Sequence, residues 1–79
     1  MSRKERLLKK FLQHPQSLKY REIESILLNL GFSKRMGKGS HCIFFFPDFS
    51  IIVTIPIHND DCLPVYKKEL AKIIIKFFT

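Results

Sequence analysis

The stretch GFSKRMGKGSHCIFFFPDFSIIVTIPIH, residues 31–58, decides the fold. Its strand-forming residues fall into three short runs, at about 32–36, 41–46 and 51–55, with turn-forming residues in the two gaps between them. Gly37, Lys38 and Gly39 lie in the first gap, and Pro47 and Asp48 lie in the second. Short connections of this kind join neighbouring strands, so the sequence predicts a three-stranded antiparallel meander.

Apolar residues at helical spacing flank the meander on both sides. Before it, Ile23, Ile26, Leu27 and Leu30 predict a helix over residues 20–30 that ends at Gly31. After it, a buried stripe predicts a helix over residues 64–78, with lysines on the remaining face. The stripe is Tyr66, Leu70, Ile73, Ile74 and Phe77, and the lysines are Lys67, Lys68, Lys72 and Lys76.

A further amphipathic helix is predicted over residues 3–13. Leu7, Leu8, Phe11 and Leu12 fall on one of its faces, and basic residues surround the rest. Two interpretations stay open for it, a strut packed on the domain and a basic flank for RNA. The complete order is helix, helix, three strands, helix. It predicts an α+β fold in which the helices pack on one face of a small antiparallel sheet and leave the other exposed.

The length and charge of the chain bound its function. Its 79 residues provide for one domain, residues 1–79, in which we take residues 1–16 as an N-terminal helical extension. Fourteen basic against seven acidic residues give a formal charge of +7, which calls for nucleic acid, anionic lipid or an acidic protein as partner. No carboxylate occurs between Glu24 and Asp48, whereas Lys34, Arg35 and Lys38 fall in that window and predict an anion-binding patch.

Several other classes of protein find no support in the sequence. Neither end carries an apolar run of the kind that signal peptides or membrane spans need, so we expect a cytoplasmic protein with Cys42 and Cys62 as reduced thiols. A zinc site from His41, Cys42, His58 and Cys62 is disfavoured because neighbours on a strand point to opposite faces. No nucleotide-binding loop is present, and Asp60 and Asp61 are interpreted as a solvated turn. We expect neither a metal nor another cofactor.

His41 is the candidate catalytic residue. It follows Gly37, Lys38, Gly39 and Ser40, so a titratable ring lies beside a flexible turn, a hydroxyl and a lysine. A metal-free ribonuclease needs a group that moves a proton to or from the 2′-hydroxyl or the leaving 5′-oxygen. Imidazole, with a reference pKa of about 6.5, suits this task. The alternative is a strand-edge histidine that is hydrogen-bonded to a neighbour.

Three further expectations concern side chains near His41. We expect Ile43 and Phe45 to point to one face of the middle strand, and His41 to share the other face with cysteine and phenylalanine. His58 is either a second acid-base group or phosphate ligand, or a solvated loop residue. The run of Phe44, Phe45, Phe46 and Phe49 provides either base-stacking surfaces or core, and we favour core.

Together these residues resemble the HicA family of bacterial mRNA-interferase toxins. The resemblance rests on Gly39, Ser40 and His41 opening a strand, on the run from Val53 to Pro56 with His58 two places on, and on Leu70, Ile73 and Ile74 in the closing helix. It covers residues 18–77. The chain differs from many members of the family in having Cys42 where they have a second histidine, and Lys68 and Glu69 where they have Gly-Thr.

The resemblance implies a fold similar to double-stranded-RNA-binding domains, cleavage of mRNA, and neutralisation by a HicB-type antitoxin that covers the active site. It implies that His41 is catalytic, that Gly39 and Ser40 present it, and that His58 is a second site histidine. The RNA-binding assignment of Lys34, Arg35 and Lys38 rests on charge alone. The alternatives are a non-catalytic RNA-binding module of the same fold and a basic adaptor for an acidic protein.

Overall fold

Three α-helices and one three-stranded sheet form the part of the chain that the computed structural model describes, residues 2–79. The helices are α1 (Arg3–Gln13), α2 (Tyr20–Leu30) and α3 (Pro64–Phe78), and the strands are β1 (Ser33–Met36), β2 (His41–Phe46) and β3 (Ile51–Pro56). Single 3₁₀ turns lie at Pro15–Ser17 and Pro47–Phe49. The strands pair antiparallel in the order β1-β2-β3. The predicted α+β class and element order are confirmed.

The helix ends follow from local sequence. Ser2 caps α1, since its hydroxyl accepts a hydrogen bond from the Glu5 N–H at 3.2 Å. At the end of α2, Gly31 adopts a left-handed φ of 107°. The Phe32 N–H then donates to the Leu27 carbonyl at 3.0 Å and the Gly31 N–H to the Leu28 carbonyl at 3.1 Å. This pair of bonds satisfies the last carbonyls of α2 and turns the chain into β1.

The helices pack on one face of the sheet, as expected. In β2, the side chains of Cys42 and Phe44 point to the helices and are completely buried, whereas His41 is exposed. Strand alternation puts His41 on the outer face together with Ile43 and Phe45. Our expectation that His41 lies on the face opposite to Ile43 and Phe45 is therefore wrong, because residues two apart on a strand point the same way.

The hydrophobic core lies between the helices and the inner face of the sheet. Phe11 of α1 is completely buried in it, which confirms that this helix packs on the domain. Cys42 is a buried core residue, also as predicted. The largest side chains that are at most 1% exposed come from the helices, the sheet and the segments between them, namely Phe11, Leu18, Ile23, Leu27, Phe44, Ile55, Leu70 and Ile74. Burial of this kind contributes about 1.5–3 kcal/mol per large apolar side chain.

Two predictions about charged side chains are wrong. Lys67 is not on the solvent face of α3 but only 5% exposed, and its ammonium group donates to the Leu18 carbonyl at 2.7 Å. Asp60 is exposed in the turn, as expected, but Asp61 is not a free turn residue, since its Oδ1 lies 3.1 Å from Lys67 Nζ and accepts from the N–H groups of Tyr20 and Cys62. Buried ammonium groups need such partners, because desolvating a charge is costly.

The buried stripe of α3 also differs from its prediction in membership. Leu70 and Ile74 are buried as expected, and Ala71 joins them. Tyr66 and Ile73 are half-buried, and Phe77 is 36% exposed. The stripe is therefore rotated toward Lys67, which lies three, four and seven residues before its buried members.

Candidate functional site

The turn between β1 and β2 positions His41. The Lys38 carbonyl accepts from the His41 N–H at 3.3 Å, and the Gly37 N–H donates to the His41 carbonyl at 2.8 Å. Gly39 has a φ of 62°, a conformation that costs a residue with a Cβ about 1–2 kcal/mol. A Cβ at Gly39 would have no atom within 4 Å, so glycine is favoured here for its backbone angle and not for space.

The ring of His41 is exposed and held from one side. Its Nδ1 lies 2.8 Å from the Lys38 carbonyl oxygen, the same oxygen that closes the turn. A carbonyl oxygen only accepts, so Nδ1 carries the proton in this contact and the neutral ring has its lone pair on Nε2. The turn thereby selects the tautomer and the orientation of the imidazole ring.

The predicted basic patch is divided between the two faces of the sheet. Arg35 pairs with Ile43, so it lies on the outer face, diagonally across from His41. Lys38 is exposed in the turn itself. Lys34 pairs with the buried Phe44 and points toward α2, where its ammonium group forms an ion pair with Glu24. The hydrogen bond with Glu24 raises the pKa of Lys34.

Ser40 and His58 lie at the same end of the sheet as His41. His41 faces Pro56 across the β2–β3 ladder, and the Ser40 carbonyl extends this ladder by accepting from the Ile57 N–H at 3.0 Å. His58 is exposed, two residues beyond Pro56. Its backbone exchanges two hydrogen bonds with Asp61, at 2.8 and 3.0 Å, so the loop that carries it is closed by a bridge.

Asp61 fastens this loop to the helices. Desolvation raises the pKa of its carboxyl group, but hydrogen bonds from Cys62, Lys67 and Tyr20 outweigh this effect and lower the pKa overall. The acceptor atom thus links the loop to the first turn of α2 and to α3. Sequence analysis missed this tie, although the spacing of Lys67 from Leu70 and Ile74 is the signal of a buried position.

The aromatic run does not converge on His41. Phe44 is core, while Phe46 and Phe49 stack at 5.2 Å between ring centroids at the far end of β2. Phe45 alone shares the outer face with His41, and it is half-buried. The preference for core is confirmed for Phe44, and Phe49 remains 42% exposed.

Two broader features of the described residues bear on the class of site. Within residues 2–79, no three histidine, cysteine, aspartate or glutamate side chains come together as a group that could hold a metal ion. None of the helices in that range has the length and apolar character that crossing a bilayer requires.

The structure is thus that of a small α+β protein with an exposed, oriented imidazole at a glycine turn. Comparison with known families assigns this protein to one of them. The model of the family described as HicA toxin of bacterial toxin-antitoxin matches residues 20–76, so the chain belongs to the HicA toxin family. No curated protein and no solved structure matched the chain in the corresponding searches. The match begins at the first residue of α2 and therefore leaves α1 outside.

Proposed function

We propose that this toxin is a metal-independent endoribonuclease that cleaves mRNA with His41 as its general acid-base group. The observation that carries the proposal is the contact between His41 Nδ1 and the Lys38 carbonyl, at 2.8 Å, in a chain of the HicA family. It leaves Nε2 of an exposed ring available to a substrate hydroxyl. A neutral imidazole nitrogen with a free lone pair can accept a proton, and the protonated ring can later donate it.

The proposed reaction proceeds through the ribose 2′-hydroxyl. Nε2 of His41 takes the 2′-hydroxyl proton while the 2′-oxygen bonds to phosphorus and the bond from phosphorus to the 5′-oxygen breaks. The leaving 5′-oxygen takes up a proton, and the products are a 2′,3′-cyclic phosphate and a 5′-hydroxyl end. General acid-base catalysis of this kind contributes about 10²–10⁴ in rate.

The groups around His41 would bind the substrate phosphates. Arg35 and Lys38 supply positive charge on the outer face and in the turn, and the exposed backbone at Gly39 and Ser40 lets a phosphate approach closely. His58 lies at the same end of the sheet and is proposed to contact RNA there. Lys34 can join them only by giving up its ion pair with Glu24.

Family membership supports a toxin-antitoxin partner in general, and we propose a HicB-type antitoxin acting in the cytoplasm. Such a partner would inhibit by covering His41 and pairing the nearby cations. Its association should weaken with salt, because screening reduces attraction between exposed charges.

The first test is cleavage of labelled mRNA in EDTA by the purified chain and by two matched variants. His41→Ala should abolish cleavage, whereas His14→Ala, which removes an exposed histidine at the end of α1, should leave it unchanged. RNA binding without cleavage by the unaltered chain would instead establish the non-catalytic RNA-binding module. Growth arrest after induction separates the two in cells, because a binding module of the same fold should not arrest growth.

A further inference from the structure

Most of the net positive charge of this protein lies in its first 21 residues, which are distant in sequence from the turn that carries His41. Residues 1–21 hold seven of the fourteen basic residues and one of the seven acidic residues, so they account for +6 of the net charge of +7. Residues 22–79 are almost balanced, with seven basic and six acidic residues. The charge that calls for an anionic ligand therefore belongs mainly to α1 and the start of α2, outside most of the family match.

The cations of α1 form one solvent-facing surface. At 3.6 residues per turn, Arg3, Arg6, Lys9 and Lys10 fall within an arc of about 120°, opposite the apolar side that packs on the domain. All four are exposed, and Phe11 on the opposite side is completely buried. We call these four residues the α1 basic face. It is carried by a capped helix that packs on the core, so the backbone positions of these four residues are fixed.

Within residues 2–79, no acidic side chain forms an ion pair with the α1 basic face. The two ion pairs seen among residues 2–79 join Lys34 to Glu24 and Lys67 to Asp61, and neither involves α1. The nearest carboxylates in sequence serve the helix ends instead. Glu5 accepts from the Ser2 hydroxyl at 3.2 Å, and Glu22 accepts from the Lys19 N–H at 3.0 Å. Like charges at i, i+3 and i, i+4 also repel, as between Arg6 and its neighbours Lys9 and Lys10.

We infer that the α1 basic face is a second, non-catalytic binding site for the phosphate backbone of single-stranded RNA. This inference rests on the proposed function for the identity of the RNA as substrate. The exposed positions of α1 are all polar, namely Arg3, Lys4, Glu5, Arg6, Lys9, Lys10 and Gln13. A protein-binding surface has an apolar or aromatic centre depleted of lysine, whereas nucleic-acid interfaces are polar and strongly positive.

Such a site holds RNA without reading its sequence and acts on substrate binding. The molecule measures 37 Å in its longest dimension. At about 3.4 Å per nucleotide of a stacked strand, about eleven nucleotides span that length. His41 lies on the outer face of the sheet and α1 lies on the helical side, so an RNA that binds at both must pass around an edge of the molecule. A long RNA can do so, whereas a dinucleotide covers about 7 Å, less than the smallest extent of the molecule, 19 Å. Neutralising the α1 basic face should raise KM for long RNA and leave kcat, and cleavage of a dinucleotide, unchanged.

Binding is tested with two triple variants of equal charge change. One is Arg6→Gln, Lys9→Gln and Lys10→Gln in α1, and the control is Lys68→Gln, Lys72→Gln and Lys76→Gln in α3. Both sets lie at exposed helix positions and remove three positive charges. For binding, each triple is made in a His41→Ala background, so that RNA stays intact, and for the measurement of KM and kcat it is made with His41 present. Fluorescence anisotropy with a labelled single-stranded RNA of about 20 nucleotides, at several NaCl concentrations, gives Kd and its salt dependence.

The α1 triple should raise Kd on the order of tenfold at low salt and reduce the slope of log K against log salt by about 2, since each phosphate contact on single strands contributes about 0.7. The α3 triple should change both much less. Equal effects of the two triples would mean that net charge alone matters and would overturn the site. So would an α1 triple that loses affinity for polyglutamate while keeping its affinity for RNA, because the ligand would then be an acidic protein.

The outcomes are separable from those of the proposed function. RNA affinity that depends on α1, in a chain that cleaves no RNA, would disprove the nuclease and support this site. Cleavage that depends on His41, with the same KM for long RNA in both triples, would do the reverse. Thermal unfolding of both triples controls for folding, and the α1 triple should unfold no earlier than the parent because charge repulsion has been removed.

Discussion

The two turns that connect the strands lie at opposite ends of the sheet and differ in exposure and in composition. The β1–β2 turn is polar, exposed and closed by backbone hydrogen bonds at Gly37 and His41. The β2–β3 turn, Pro47–Phe49, is part of an aromatic cluster in which Phe49 stacks on Phe46 at 5.2 Å and on Phe77 at 5.4 Å. One end of the sheet is fastened to α3, and the other presents a side chain to solvent. Stability and the proposed activity should therefore respond to changes at different ends.

The largest effect is expected at the exposed end, where His41→Ala should reduce the cleavage rate on the order of 10²–10⁴-fold. The ring is exposed and its hydrogen bond goes to a turn carbonyl that the backbone N–H also contacts, so folding should be almost unaffected. Single-turnover cleavage measures the rate, and urea unfolding measures stability. A loss of more than about 2 kcal/mol in stability would show that His41 is structural, contrary to this comparison.

At the opposite end, Phe46→Ala should have the reverse pattern. Phe46 contacts Phe32, Phe49 and Phe78 with centroids 5.1–5.2 Å away, but it is only half-buried. We expect a loss of about 2–3 kcal/mol in the free energy of unfolding, below the range for completely buried phenylalanine. The cleavage rate per folded molecule should stay near that of the parent. A variant that is fully stable but inactive would break the separation of the two ends.

A smaller effect is expected at Gly39, where the two properties should be coupled. Gly39→Ala forces a side chain into a left-handed conformation and should cost about 1–2 kcal/mol, although the space around it is open. Any relaxation of the turn shifts the Lys38 carbonyl that orients His41, so cleavage should fall as well. Gly39→Asn is the matched control, since asparagine tolerates this conformation better. Equal losses of stability and cleavage in the two variants would mean that the left-handed φ of Gly39 is not their cause.

Most of the fold was predictable because its signals are local. The helix over residues 20–30 has its apolar spacing and a glycine that ends it, and the strands are separated by turn residues, so each element could be bounded within its own stretch. His41 could be singled out for the same reason, since glycine turns are recognisable in sequence. The structure confirms where this residue lies, and its catalytic role stays a prediction.

What sequence analysis missed depends on contacts between distant segments. Lysine is usually exposed, so the sequence pattern predicts Lys67 on the solvent face, but its partners, the Leu18 carbonyl and Asp61, come from elsewhere in the chain. Lys34 was grouped with Arg35 by adjacency, although neighbours on a strand point to opposite faces and Glu24 lies on α2. Such pairings are fixed by packing and have no signature in a short window.

The smallest effect on stability is expected at Asp61. Its contacts with Tyr20, Cys62 and Lys67 stabilise the loop that carries His58, and they depend on a titratable group. The pKa of Asp61 is lower in the folded state, so its contribution is complete above the unfolded pKa of about 3.9 and is lost as pH falls through the folded value. The carboxylate is 44% exposed, so we expect Asp61→Asn to cost about 1 kcal/mol at neutral pH. The difference in stability between the parent and Asp61→Asn should shrink as the pH falls below about 4, the reference pKa of an aspartate. Urea unfolding of both proteins at neutral and acidic pH measures it. A difference independent of pH would mean that the hydrogen bonds from Tyr20 and Cys62, which an amide oxygen can also accept, hold the loop without help from charge.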